Sequence, residues 1–174
     1  MKPVFVVDID GTVCDSLALI DKMSDRFHMC VDLWDDAQML VFLEEAGHQP
    51  VVPGAEVLSV LMREKFCDVV FLTGRAEGLG RSRKIGRRLT MEWLCRIFGT
   101  PLQDIRLFMR CRNDRRSNDV AKTDVFERQI RPLFGRRMFV FLDDDTSVLA
   151  MYARHGFALK SPECWNALSY YLLK

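Results

Sequence analysis

Four apolar residues followed at once by two aspartates constrain the fold of this chain more than any other feature. The run Val4–Val7 has the composition of a strand that is buried on both faces of a parallel sheet. Asp8 and Asp10 follow at its carboxyl end, which is where open α/β sheets hold their ligands. Residues i and i+2 of an extended segment face the same side, so the two carboxylates are expected to converge on one point. Because adjacent carboxylates repel each other, this point requires either a cation or a shared proton.

Apolar strand segments alternate with helical segments along the rest of the chain. Further strands are predicted at 68–72, 105–109, 138–142 and 157–159, and helices at 15–29, 35–46, 55–65, 87–98, 120–133, after residue 145 and at 163–172. This alternation predicts a single α/β domain over residues 1–174, with a doubly wound, Rossmann-like parallel sheet of five strands and helices on both faces. The helical sequence at 15–50 precedes the expected crossover helix. It is predicted to form a small cap, or lid, inserted after the first strand.

Charge is distributed unevenly, although the net charge is only +1. Residues 1–72 hold 5 Lys or Arg against 13 Asp or Glu, whereas residues 73–137 hold 17 against 7. Such a basic stretch is either a solvated surface or a face that binds a polyanion such as nucleic acid. Both interpretations stay open at this point.

The six cysteines are scattered and form no C-x-x-C pair. This pattern favours reduced thiols and gives no support to a zinc site. A cytoplasmic location is therefore expected (the host cytoplasm for a viral protein). No membrane span is expected, because no run of about 18 apolar residues occurs, and the first strand begins too early to leave room for a signal peptide.

Polar residues of a matched kind follow three of the predicted strands. Asp8 and Asp10 follow the first strand, Thr73 the second, and Asp143 and Asp144 the fourth. A single aspartate after a strand is more often a turn or cap residue, but all three positions open onto the same sheet edge. Carboxylates from two strands suit Mg²⁺, which prefers oxygen ligands. With a phosphate bound there, one aspartate could act as a nucleophile and a second carboxyl could transfer the proton.

The same residues resemble the motifs of the haloacid dehalogenase-like (HAD) phosphohydrolases. The segment Asp8–Thr12 resembles their D-x-D-G-T signature, and Leu72–Arg75 resembles their second motif. Lys122 stands where the lysine of the third motif is expected, and Leu142–Asp144 resembles the acidic fourth motif. All four occur in the family's order.

A closer resemblance, from residue 68 to 160, is to the 3′-phosphatase domain of phage-type polynucleotide kinase/phosphatase. Leu72–Arg75 is followed by the similar stretch 87–94 and by Gly-Thr-Pro-Leu at 99–102. The loop that leads to Lys122 and the Asp-Asp-x-Thr-x-Val sequence at 143–148 are also similar. The resemblance is poor from 14 to 66, where extra helical sequence occurs. No G-x-x-x-x-G-K-[ST] phosphate loop is present, so 5′-kinase activity is not expected.

The resemblance implies a role for each matching residue. Asp8 would be the nucleophile and a metal ligand, and Asp10 the general acid/base, offering its backbone carbonyl to Mg²⁺. Asp143 and Asp144 would complete the metal site, directly or through water. Lys122 would offset the charge on Asp8 and help to hold the phosphoryl group.

Five residues are expected to contact the substrate. Thr73 would hold the phosphoryl group together with Lys122, and Gly74 and Arg75 follow it in the same motif. Arg112 and Arg116 lie in the arginine-rich loop and are the remaining candidates.

Three functions follow from these patterns. The leading hypothesis is a Mg²⁺-dependent phosphomonoesterase that removes phosphate from nucleic-acid 3′ ends through an aspartyl-phosphate intermediate. The alternative is a nucleotidase or another small-molecule phosphatase, because lids after the first motif of this superfamily usually close over small substrates. Phe27, Trp34 and Phe42 would then either stack on a base or pack in the core. The third is a non-enzymatic binding module, against which the intact acidic set argues.

Overall fold

The computed structural model describes residues 2–172, and the side chains of these residues other than Asp32, Tyr171 and Leu172. Five strands form one parallel sheet in the order β3-β2-β1-β4-β5. The strands are β1 (Val4–Val7), β2 (Asp68–Ala76), β3 (Leu107–Arg110), β4 (Phe139–Asp143) and β5 (Phe157–Lys160). The predicted doubly wound parallel sheet is thus confirmed. β1 lies at its centre between β2 and β4, so three polar strand ends meet at neighbouring positions.

Side chains of β1 alternate between two cores, one on each face of the sheet. Phe5 and Val7 belong to one core, and Val4 and Val6 to the other. This alternation follows from the two-residue period of a strand. It explains why β1 is apolar throughout. Because Asp8 lies two residues after Val6, it points to the same face of the sheet as Val4 and Val6.

Helices cover both faces, as predicted. The first core includes residues of α3 (Val57–Glu64), α4 (Ile85–Phe98) and α8 (Glu163–Leu172). The second includes residues of α5 (Asn118–Val125), α6 (Arg131–Phe134) and α7 (Thr146–Tyr152). A π-helical turn at Phe126–Ile130 joins α5 to α6, so the single helix predicted at 120–133 has three parts and begins two residues earlier.

The insertion after β1 has a hydrophobic cluster of its own. It contains α1 (Leu17–Phe27) and α2 (Asp36–Ala46), and it packs against α4 through a cluster that includes Leu79. Trp34 is 1 % exposed and Phe42 is 2 % exposed, and their rings lie 5.7 Å apart. These two aromatic side chains therefore pack in the core of the insertion.

Two connections differ from the sequence-based expectation. β2 continues to Ala76, four residues beyond its predicted end at Leu72, with a shift of register between Thr73 and Ala76. α4 begins at Ile85 rather than at residue 87. Within the described residues, no helix is long and apolar enough to cross a membrane.

Candidate active site

The carboxyl ends of β1 and β4 place two aspartates on either side of one lysine. Lys122 Nζ lies 2.8 Å from Asp8 Oδ1 and 2.8 Å from Asp143 Oδ2. Lys122 projects from α5, which packs on the same face of the sheet toward which Asp8 points. All three side chains are buried, so water does not screen their charges.

The burial of these groups changes their acidity. Burial raises the pKa of Asp8 to about 7, and repulsion from Asp143 and Asp10 adds to this shift while Lys122 opposes it. Burial likewise raises the pKa of Asp143, against the opposing effect of Lys122. The two neighbouring carboxylates overcome the burial of Lys122 and raise its pKa, so its ammonium stays charged. The single positive charge of Lys122 therefore does not fully compensate the negative charge of the carboxylates around it.

A third carboxylate completes an acidic cluster that fits a hard cation. One carboxylate oxygen from each of Asp8, Asp143 and Asp144 lies within 4.8 Å of the others. Burial, followed by the charge of Asp8, raises the pKa of Asp144 to about 6, and a cation would relieve this repulsion. Gly11 makes room for Asp144, since a Cβ on Gly11 would lie 2.5 Å from Asp144 Oδ2. The carboxylate of Asp10 is not part of this cluster.

The second aspartate of the opening motif has a different partner. Asp10 accepts two hydrogen bonds from the guanidinium of Arg75, at 2.8 Å from Nε and 2.6 Å from Nη2, and one from the Ser16 hydroxyl at 2.8 Å. Burial opposes ionisation of Asp10, but Arg75 and Ser16 outweigh it, so the pKa of Asp10 is lowered. Asp8 and Asp10 thus share one cavity but are stabilised by different cations. No pattern in the sequence indicated this role for Ser16, which occupies the N-cap position of α1 but makes no side-chain capping bond there.

The irregularity in β2 directs Arg75 toward Asp10. The pairing of β2 with β3 is in register up to Thr73 and resumes at Ala76, which is the geometry of a bulge. The Thr73 hydroxyl accepts a hydrogen bond from the backbone N–H of Arg75 at 3.2 Å, and Arg75 Nη1 lies 3.4 Å from the Thr90 hydroxyl of α4. Arg75 is only 4 % exposed, so its guanidinium is held in place on several sides.

These groups open into a cavity of about 420 Å³ with two contrasting walls. The insertion forms an apolar wall, and the loop after β3 forms a basic one. The apolar wall consists of Leu17, Ile20, Val31, Trp34, Met39 and Phe42, and the basic wall carries Arg110, Arg115 and Arg116. The floor holds Asp8, Asp10, Gly74, Arg75, Lys122 and Asp144. A ligand with an anionic group at the carboxylates and a less polar body fits this arrangement.

Most of the predicted site residues meet in this cavity, with four departures. Thr73 and Asp143 are buried and do not line it, but they bond Arg75 and Lys122, which do. Arg112 lies outside it and lines a separate depression with Arg83. Arg116 lines the cavity but is paired with Asp114 at 2.6 Å.

Sequence reasoning missed two arginines and an asparagine of the cavity. Arg110, Arg115 and Asn118 all line it, and Asn118 accepts a hydrogen bond from Arg110. Their positions depend on the path of the loop 111–117, which carries many arginines of equal appearance. The spacing of Asn118 one helical turn before Lys122 was the one available signal, since residues i and i+4 share a helix face.

Asp145, Asp35 and Cys14 have structural roles. Asp145 caps α7 through a 2.8 Å bond from the backbone N–H of Ser147, and Asp35 caps α2 in the same manner. Cys14 is buried, and burial raises the pKa of its thiol to about 11, which leaves it unreactive as a nucleophile.

The parallel sheet, the aspartate pair after its central strand and the buried lysine define a phosphatase of the HAD class. Within that class, residues 2–161 match the family described as the polynucleotide kinase PNKP phosphatase domain, and the chain belongs to this family. The expected membership and the assignment as an enzyme are thereby confirmed.

Solved structures with the same fold are distant in sequence. A chain of the Pnkp1/Rnl/Hen1 complex aligns with a TM-score of 0.58 and 19% identity over 92% of this chain and 45% of its own length. The class C acid phosphatase from Bacillus anthracis aligns with a TM-score of 0.56 and 17% identity, over 97% of this chain and 60% of its own. CbbY from Rhodobacter sphaeroides aligns with a TM-score of 0.52 and 13% identity, over 90% of this chain and 84% of its own. The chain thus spans less than half of the Pnkp1-complex chain that it matches.

Proposed function

We propose that this protein is a Mg²⁺-dependent phosphomonoesterase that removes phosphate from the 3′ ends of nucleic acids. The observation that carries the proposal is the convergence of Asp8, Lys122, Asp143 and Asp144 at one sheet edge, inside a cavity with a basic wall. The family of the chain supports the same chemistry.

In the proposed reaction, a carboxylate oxygen of Asp8 attacks phosphorus and the bond from phosphorus to the leaving oxygen breaks. An aspartyl phosphate forms on Asp8, and the leaving oxygen takes a proton from Asp10. Asp10 then accepts a proton from a water molecule that attacks the phosphoryl group, and inorganic phosphate is released as Asp8 is regenerated. Lys122 favours the ionised form of the attacking carboxylate and faces the negative charge of the transferring group.

The contact with Arg75 bears on how Asp10 obtains its proton. In the structure the guanidinium lowers the pKa of Asp10 and keeps it ionised, which suits its part as a base. Arg75 also lines the cavity. A phosphate dianion that binds there competes for the guanidinium, and this competition raises the pKa of Asp10 toward the value that an acid requires.

Asp8, Asp143 and Asp144 would hold the metal ion, with the backbone carbonyl of Asp10 as a further ligand. Mg²⁺ is the proposed ion because the side-chain donors are all carboxylate oxygens. When bound, the ion supplies positive charge that offsets the phosphate oxygens and the carboxylates.

The two walls of the cavity support a nucleic-acid 3′ end as the substrate. A nucleoside presents a sugar and a base of low polarity, which fit the aliphatic side chains of the insertion. The neighbouring phosphates of a strand fit the arginines of the opposite wall. The excess of basic residues between 73 and 137 agrees with a polyanionic substrate.

A substrate panel tests this proposal. Phosphate release is compared for one oligonucleotide carrying either a 3′- or a 5′-phosphate and for 3′- and 5′-mononucleotides, with Mg²⁺ or with EDTA. We expect the 3′-phosphorylated oligonucleotide to be hydrolysed fastest and EDTA to abolish the reaction. Asp8→Asn should be inactive, whereas Asp21→Asn, the same change at an exposed position on α1, should be fully active. If the protein hydrolyses mononucleotides but not oligonucleotides, at a rate that does not change with the salt concentration, the polynucleotide assignment is wrong.

A nucleotidase is the second candidate, because contacts join the insertion to the loop across the cavity. Arg115 lies 3.3 Å from the Asp36 carboxylate and 3.4 Å from the carbonyl oxygen of Trp34. The Asp36 carboxylate also accepts a bond from the N–H of Gly80 at 2.7 Å. These contacts narrow the cavity, which suits a small substrate. In the same panel a nucleotidase hydrolyses mononucleotides faster than oligonucleotides.

A cytoplasmic location is part of the proposal. All six cysteines are unpaired, and three of them are buried, which suits a reducing compartment.

A further inference from the structure

A basic depression lies outside the cavity that holds Asp8 and Asp10, which is called the reaction cavity below. It has a volume of about 410 Å³, opens widely to solvent and is lined by Glu77, Arg83, Cys111, Arg112 and Asn113. The Nε of Arg112 is buried and has no hydrogen-bond partner among the described residues. A buried donor without a partner is costly and needs an explanation. Arg112 thus keeps a guanidinium donor that no described residue uses.

The cations around this depression are not neutralised within the fold. In the part of the chain that the structure describes, Arg83 and Arg112 take part in no ion pair, and the same holds for Arg81, Lys84 and Arg87 next to them. Arginines elsewhere on the surface do have carboxylate partners, such as Arg88 with Glu92. Glu77 lines the depression but lies beyond ion-pair distance of both arginines. Cations that repel one another without compensation are suited to an anionic ligand.

The folding of the segment 77–87 brings these cations together. The backbone N–H of Arg87 donates to the carbonyl oxygen of Glu77 at 3.0 Å, and Leu79 and Ser82 exchange hydrogen bonds of 2.9 and 3.0 Å. Gly86 lets α4 approach β2 closely, since a Cβ there would collide with the carbonyl oxygen of Ala76. The start of α4 is thereby held against the end of β2, beside the loop that carries Arg112.

The depression is adjacent to the reaction cavity along the loop after β3. Arg110 lines the reaction cavity and Arg112 lines the depression. Two residues apart, their Cα atoms are separated by at most about 7.6 Å. The two places are therefore neighbours along one short loop, and a single strand that enters the reaction cavity passes close to the depression.

We propose that Arg83 and Arg112 form a second phosphate subsite, which binds an internucleotide phosphate of the strand whose 3′-terminal phosphate is removed. This inference rests on the proposed function and specifies its substrate as a strand of at least two or three nucleotides. In this arrangement Arg112 contacts an internucleotide phosphate and not the phosphate that is removed. The loop between the two places, with Arg110 on one side and Arg112 on the other, guides the strand from the subsite to Asp8.

The test compares a 3′-phosphorylated trinucleotide with a 3′-mononucleotide as substrates of the double variant Arg83→Gln/Arg112→Gln. We expect kcat/KM for the trinucleotide to fall about tenfold, as for the removal of two exposed charges, while the rate for the mononucleotide stays within twofold. The slope of log kcat/KM against log salt should become shallower by about 0.7 for each phosphate of a single strand that the protein no longer neutralises. Arg136→Gln is the control for the single variant Arg83→Gln: it removes one charge at an exposed position just before β4, at the amino ends of the strands, and should behave as wild type.

A binding experiment separates failure of the subsite from failure of the proposed function. Fluorescence anisotropy measures binding of a labelled trinucleotide with a 3′-hydroxyl to the same variants, which needs no catalysis. Weaker binding by Arg83→Gln/Arg112→Gln, but not by Arg136→Gln, supports the subsite even if 3′-phosphates are not hydrolysed. Unchanged binding and unchanged kcat/KM for the trinucleotide refute the subsite and leave the phosphatase assignment intact. If the double variant unfolds, Arg83→Gln alone, at an exposed position, decides between these outcomes.

Discussion

Replacing Asp8 by asparagine is expected to stabilise the metal-free protein at neutral and alkaline pH while it abolishes activity. Asp8 is buried beside Asp143 and Asp144, and among the residues that the structure describes only Lys122 forms an ion pair with it. The ionised carboxylate therefore raises the free energy of the native state, and an amide of the same shape removes that charge. Active sites commonly hold such destabilised groups because the chemistry requires them.

The magnitude follows from the shift in acidity. The pKa of Asp8 rises from 3.8 to about 7 on folding. A rise of about three units costs at most about 4 kcal/mol once the group is ionised, at about 1.4 kcal/mol for each unit. Because the native pKa is raised, wild-type stability is lost as pH rises from 3.8 toward 7, and the gain of Asp8→Asn grows over the same range. The asparagine bonds Lys122 less well than the carboxylate, so a net gain of about 1–3 kcal/mol is expected at pH 8.

Urea unfolding of wild type and Asp8→Asn in EDTA at pH 5 and pH 8 measures this gain. The gain should be larger at pH 8 than at pH 5, and saturating Mg²⁺ should reduce it because the ion stabilises only the protein that binds it. Asp21→Asn, on the exposed face of α1, should change the free energy of unfolding by less than about 0.5 kcal/mol at both pH values. A loss of stability at pH 8, or a gain that does not vary with pH, would show that the ionised Asp8 does not destabilise the native state.

Three further changes test other parts of the site. Arg75→Gln leaves the partly buried carboxylate of Asp10 without its cation, so urea unfolding should show a loss of up to about 3 kcal/mol and kcat should fall, whereas equal stability would contradict the bidentate contact. Gly11→Ala places a methyl group 2.5 Å from Asp144 Oδ2 at a φ of +73°, so activity should require more Mg²⁺ in a metal titration, and an unchanged Mg²⁺ requirement would remove Asp144 from the metal site. Trp165→Phe removes a 2.9 Å indole hydrogen bond to the carbonyl oxygen of Thr12, so denaturation should show a loss of about 1–3 kcal/mol, and no loss would mean that α8 does not support this turn.

The sheet and the acidic end of the site could be predicted from local sequence. Val4–Val7 is too short and too apolar for a surface helix, and strand alternation then fixes the face toward which Asp8 points. The ends of parallel strands lie at one edge of the sheet, so Thr73 and Asp143 were expected at the same edge as Asp8. The order of β2, β1 and β4 makes the three neighbours. These features depend on the two-residue periodicity of short apolar segments and on the common direction of the strands in a parallel sheet.

The other parts of the site depend on contacts between segments that are distant in the sequence. The bulge that aims Arg75 at Asp10 is invisible in the sequence, and the Ser16 hydroxyl bonds Asp10 instead of capping α1. The helix that carries Lys122 begins at residue 118 rather than at residue 120, so this lysine lies beyond the first turn of the helix. Arg112 was selected from a loop of similar residues, and the loop's path placed it in the neighbouring depression.

The proposed role of Asp8 as the nucleophile for a terminal phosphate can be tested by trapping the phosphorylated enzyme. Wild type and Asp8→Asn are mixed with an oligonucleotide that carries a radiolabelled 3′-phosphate in Mg²⁺, and the reaction is quenched in acid within its first turnover. We expect label on the wild-type protein, in the peptide that contains residue 8, and none on Asp8→Asn. Rapid release of labelled phosphate by Asp8→Asn, or label on another residue of wild type, would be incompatible with this role.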